Sequence, residues 1–142
     1  MATVMKFYEV PTKERYEGSL ANEKWITRIF VGKNGAIKEG KDFGVMVQDV
    51  KAGGVPPGKA LHYHANQETL FFILSGKCVV NVEGKEYELE PNSAIWIPQN
   101  EKHGLTKVLE DVKLLAIVSN PYHLSDHVES EQPWYQEYPS NK

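Results

Sequence analysis

The sequence predicts a mainly β chain folded as a sandwich or barrel, on three observations. Short apolar or β-branched runs recur through the middle of the chain, turn residues separate them at regular intervals, and no segment sustains a helical period with good caps. At 142 residues, 41% of them hydrophobic, the chain suits one domain around a single core.

Taken in order, residues 25–31 are β-branched and aromatic, and a loop-like stretch follows from Gly32 to Gly40. The next strand, 45–50, stops at Ala52-Gly53-Gly54. After Val55-Pro56-Pro57-Gly58 come His62-Tyr63-His64, then an apolar strand over 69–74 and a turn at Ser75-Gly76-Lys77. Residues 78–82 and 86–89 flank Glu83-Gly84-Lys85, whose turn chemistry predicts a hairpin. Pro91-Asn92-Ser93 turns the chain into a strand over 94–97, and 112–118 is the last clear core strand before Ser119-Asn120-Pro121. The chain thus divides into an N-terminal arm, 1–24, expected to pair with a sheet edge; a β-barrel, 25–120; and a C-terminal tail, 121–142. Four aromatics in that tail, Tyr122, Trp134, Tyr135 and Tyr138, predict docking onto the barrel or a partner subunit.

Charge narrows the partners. The net charge of −3 comes from 19 acidic and 16 basic residues interspersed along the chain, so no basic block is present to bind nucleic acid or an anionic membrane. The apolar run 70–74 is far too short to span a bilayer and the first ten residues lack a signal pattern, which makes a cytoplasmic location the expectation. A single cysteine, Cys78, excludes an internal disulfide; set in an apolar strand, it reads as a small buried hydrophobe rather than a nucleophile. Residues 70–74 also carry large side chains on both faces. One barrel interior covers only one of them, so a homodimer is expected.

Side chains two apart on a strand share a face, and His62 and His64 can therefore converge on one point. His103, after the strand-like run at 95–98, supplies a third imidazole. Ordinary strand histidines are the plainer reading, but a same-face pair followed by a third argues for one divalent transition metal ion with open positions for a small-molecule substrate. Iron, manganese, nickel, copper and zinc all accept such ligands.

Gly58, His62, His64, Glu68 and Gly76, followed by Pro98, Asn100 and His103, resemble the two sequence motifs of the cupin superfamily. The resemblance implies a jelly-roll β-barrel with the metal in its mouth. It also implies an enzyme, most often a dioxygenase acting on enols, diketones, flavonols or thiols. Two other classes use the same histidines: a metal-assisted isomerase, lyase or decarboxylase, and a binding or sensor module without turnover.

The departures from the motifs matter as well. Counted forward from His64, Glu68 takes the place of the family's carboxylate ligand; counted back from Gly76, that place falls on Thr69. A bulge between Thr69 and Gly76 keeps Glu68 inward, whereas an extra residue before Glu68 turns it out. Glu68 is expected as fourth ligand or base, with Gln67 or water as its substitute. Asn100 stands where glycine is usual, and asparagine tolerates the left-handed angles of such a turn. Arg28 interrupts an apolar strand: inward, it would anchor a carboxylate or enolate substrate; outward, it lies in water. Gln48 has the same two readings. His123 and His127 read as exposed polar residues or part of a lid, and Phe71, Ile73 and Trp96 as lining of the barrel or its interface.

Overall fold

The computed structural model describes residues 2–13, 24–32, 35–55, 61–120 and 127–129. Gly58, Tyr122, His123, Trp134, Tyr135 and Tyr138 lie outside the described residues. Among the described residues a short 3-10 turn at Phe7–Glu9 precedes nine strands: β1 Thr12–Lys13, β2 Trp25–Val31, β3 Phe43–Val50, β4 His62–His64, β5 Thr69–Val82, β6 Lys85–Leu89, β7 Ala94–Ile97, β8 His103–Ser119 and β9 His127–Glu129. Every paired strand is antiparallel to its neighbour.

Two strands organise the rest. β5 and β8, at 14 and 17 residues, exceed the usual strand length because each serves two sheets. The first half of β5 pairs with β7 and the end of β8; its second half pairs with β6 and the start of β8. Beyond β8, one sheet continues through β3, β2 and β1, and the other through β4 and β9. The result is two sheets rolled face to face, a jelly-roll barrel.

The fold turns between its sheets at residues 73–78, where the β5–β8 register shifts repeatedly. Gly76 sits there at φ +81°, and a Cβ would collide with the Asp111 carbonyl oxygen. Only glycine meets both demands, so the Ser75-Gly76-Lys77 turn is a bulged corner inside one continuous strand. The Glu83-Gly84 turn has positive φ at both residues, 51° and 85°, the pattern of a tight hairpin whose twist matches its strands. Asn100 at φ 68° takes the left-handed place that asparagine accepts without glycine's help.

Inside, alternation selects the core. Trp25 and Ile29 are buried on β2, Val50 closes β3, and Ile73, Val80 and Leu114 are at most 1% exposed. Burying each such aliphatic side chain is worth about 1.5–3 kcal/mol. Cys78 is fully buried among them, and that burial pushes its thiol up to about 11. It is an inert packing group.

Outside, the same alternation leaves an apolar strip. Leu70 lies opposite both Ile117 and Trp96, and Phe72 opposite Leu115 and Ala94. Leu74, Trp96 and Ile117 remain exposed. On the other outer flank, β1 pairs with β2 and the Phe7 ring lies between two cations, 4.6 Å from the Arg28 guanidinium and 4.2 Å from the Lys113 ammonium. No helix among the described residues is long and apolar enough to cross a membrane.

Candidate metal centre

β4 and the start of β8 bring the histidines together, with His62 directly opposite His103 in the ladder. Ring centroids are 5.1 Å apart for His62 and His64, 4.5 Å for His62 and His103, and 5.5 Å for His64 and His103. One ring nitrogen from each lies within 4.8 Å of the other two. The Asn100 N–H donates to the His64 carbonyl at 2.9 Å, which ties the turn before β8 to β4 and fixes the approach of the third imidazole.

His103 is 2% exposed, and its Nδ1 lies 2.9 Å from the Glu101 carbonyl oxygen. A carbonyl oxygen can only accept. Nδ1 therefore carries the hydrogen and donates it, leaving the Nε2 lone pair for another partner. Orientation of one ring nitrogen by a hydrogen bond at the other is the arrangement that metal-ligating histidines use. Three neutral nitrogen donors, one with its tautomer set, fit a divalent transition metal.

Glu68 is not brought into this group. It is exposed, its carboxylate accepts from the Trp96 indole N–H at 3.0 Å, and its backbone is held to Ser119 by two hydrogen bonds. Thr69, one residue later, is 4% exposed and shares its face with Phe71 and Ile73. The bulge at 73–78 does lie between Thr69 and Gly76, yet Thr69 is the inward residue. The extra residue is absorbed in the loop between β4 and β5, before the strand begins its alternation. Gln67 is committed elsewhere too: it is buried, and its amide donates to the Asn120 carbonyl at 2.9 Å.

Arg28 lies on the outer face. Trp25, Thr27 and Ile29 take the inward positions of β2, and Arg28, alternating with them, points outward to meet Asp49 at 3.8 Å beneath Phe7. Asp49 also approaches Lys113, at 3.9 Å, so this cluster holds the N-terminal arm against the barrel and stands apart from the three histidines. Gln48 takes the opposite course. It alternates with the buried Val47, shares the inward face of β3 with Met46 and Val50, and its amide nitrogen lies 3.7 Å from the Met46 sulfur.

Phe71 also faces inward, its ring 6.4 Å from that of His103. Trp96 is 58% exposed on the outer strip. For β9 the backbone register places His127 opposite His64. The inward side chains Met46, Gln48, Phe71 and Ile95 are half-buried, and Met46, Phe71 and Ile95 pack against the core from this side. Among the described residues, no inward position of β2, β3, β5, β7 or β8 carries a charged side chain. Sequence reasoning passed over Met46 and left Gln48 open. Counting by twos back from Val50 would have turned both inward.

A family model described as a cupin domain matches residues 46–118. An uncharacterized protein of Aquifex aeolicus (strain VF5) is 33% identical over 82 residues, which cover 58% of this chain and 64% of that protein. The alignment thus spans less than two thirds of that relative's length. Among solved structures, the nucleoside dehydratase Pac13 of Streptomyces superimposes with a TM-score of 0.70 at 10% identity, over 99% of this chain and 100% of that one. The polyketide cyclase RemF from Streptomyces resistomycificus gives 0.67 at 16% identity, over 98% and 95%.

Proposed function

Because this chain belongs to the cupin family, we propose that it is a metal-dependent enzyme in which His62, His64 and His103 hold one divalent transition metal and a chelating, enolisable small molecule is transformed beside it. The observation that carries this reading is the convergence of three imidazole nitrogens within 4.8 Å, one of them with its tautomer set by Glu101. When bound, such a metal supplies a Lewis acid that lowers the pKa of a coordinated enol or polarises a carbonyl. The chain's own part is to orient and to exclude water. β4 and β8 aim the imidazoles at one point, and Phe71 and Met46 present apolar surface to the substrate. The inner wall supplies no carboxylate among the described residues, so the favoured substrates are already acidic: β-diketones, enols and their like.

Dioxygenase turnover is the first branch of this proposal, since three protein ligands leave positions for both substrate and dioxygen. A metal-assisted isomerisation, elimination or decarboxylation is the second; the dehydratase and cyclase neighbours favour it, because neither reaction type consumes an oxidant. Product formation compared in air, under nitrogen and with zinc-loaded protein separates the branches. Turnover only in air with a redox-active metal supports the dioxygenase, and equal turnover in all three supports Lewis-acid chemistry. Metal content near zero in the purified chain, with no uptake on addition, overturns both.

We also propose that the outer strip around Leu70, Phe72, Trp96 and Ile117 pairs two copies of the chain. An apolar surface of this kind on a sheet face is costly in water. Leu70→Lys should shift sedimentation from dimer to monomer while leaving metal uptake intact; an unchanged species would remove the strip as the interface.

A further inference from the structure

Among the described residues the inner wall facing the histidines is apolar except at Thr69 and at one cross-strand pair. Thr27 on β2 and Gln48 on β3 stand directly opposite each other, Thr27 buried and Gln48 half-buried. Met46, one inward step nearer the mouth, aligns with Ala116, which aligns in turn with Phe71, whose ring meets His103. Gln48 therefore stands one inward step deeper than the level at which Phe71 meets His103. Its amide N–H points at the Met46 thioether, 3.7 Å away. Sulfur is a weak acceptor, and a carbonyl or hydroxyl oxygen would replace it with a gain.

We propose that Gln48 is a specificity-determining residue that receives a neutral oxygen of the substrate, distal to its metal-chelating end, and that the site takes monoanionic chelates rather than dianionic acids. The proposal rests on the metal reading above. Its second support is charge: Arg28, the cation that would have met a substrate carboxylate had it turned inward, lies outside the barrel with Asp49. A carboxylate reaching past the metal would be buried against an amide, a hydroxyl, a thioether and hydrocarbon without a counter-ion, which is strongly unfavourable. A ketone or hydroxyl in the same place meets a donor now resting on the weak Met46 sulfur acceptor.

The test uses cobalt-loaded full-length protein and three chelators that share one β-diketone head and differ in the distal group: a ketone, a plain alkyl chain and a carboxylate. Binding is read from the visible spectrum of the bound cobalt. The native protein should rank ketone over alkyl over carboxylate, with a ketone advantage of roughly fivefold, the worth of one net hydrogen bond. Gln48→Leu should abolish that advantage and leave cobalt uptake unchanged; Gln48→Lys should make the carboxylate the tightest of the three. Normal cobalt uptake in Gln48→Leu with the native ranking retained, or a native preference for the carboxylate, overturns the role of Gln48 alone. Failure of the native protein to take up cobalt overturns the metal site and this inference with it.

Discussion

The two ends of the barrel are built from the same strands and differ in one respect. At the closed end, below the corner at Gly76, Val50, Ile73, Val80 and Leu114 interlock with almost no exposure. Toward the mouth burial is mixed: Ala116, Val82 and Thr69 stay buried, while Met46, Gln48 and Phe71 are half-buried, the Phe71 ring 6.4 Å from that of His103. Alternation is identical in both regions, so which side chain looks inward does not distinguish them. What differs is whether the opposing sheet supplies apolar bulk or imidazole. Stability therefore concentrates at one end and chemistry at the other, and substitutions should separate the two properties.

The sharpest separation comes from the metal ligands. His62→Ala or His103→Ala should abolish nearly all metal uptake, measured by elemental analysis after dialysis, while the denaturation midpoint of the metal-free protein changes little for the half-buried His62. Metal should raise the melting temperature of the native protein and leave that of either variant unmoved. Next in size is the closed end itself. Leu114→Ala should cost about 2–5 kcal/mol in denaturant unfolding, whereas Met46→Ala, at a side chain only partly buried against the core, should cost clearly less. Equal losses would erase the distinction.

A smaller effect tests the register of β5. Thr69→Glu would set a carboxylate on the inward face and should tighten metal binding by roughly tenfold, as expected for one charge-assisted contact. Glu68→Gln, changing a group on the Trp96 indole, should alter metal affinity by less than about twofold, because exposed hydrogen bonds and charges at a surface contribute little. The reverse ranking would place Glu68 inside.

The smallest prediction concerns Cys78. Its thiol is raised from 9.0 to about 11 by burial, so the folded protein keeps the proton while the unfolded chain loses it. The stability that this proton retention supports is complete below pH 9 and is lost as pH rises toward 11. Melting temperature should fall across that window less steeply in Cys78→Ala than in the native protein. Thiol reagents at pH 8 should modify Cys78 only after unfolding.

How much of this was legible beforehand depended on the range of the signal. Strand existence and the convergence of the three histidines follow from alternation and motif spacing, both local. The side chosen by Glu68 or Thr69 does not. It depends on how the loop between β4 and β5 is held to Ser119, about fifty residues away, and no window around Glu68 contains that information. Arg28 was open for a related reason: in a strand of mostly apolar residues the periodicity names two faces without saying which is the inner one. The answer lies in Asp49, Lys113 and Phe7, on three other segments. The corner was half legible. The Ser75-Gly76-Lys77 turn was predicted, but its place within one continuous strand required knowing that Asp111 stacks against it.

That β5 and β8 each run through both sheets carries a mechanical consequence. Two sheets joined only by loops could part like a book, but here either leaf would have to tear two backbone ladders to move away from the other. Breathing motions should therefore be confined to the margins, where the three-residue strands β4 and β9 are held by few ladder bonds. His62 and His64 ride on one of those margins, while His103 is anchored in the spine. An ion held by all three would stitch the loosest strand of the barrel to its stiffest. Amide exchange along β4 should then slow on metal addition while the centre of β8 stays as it was.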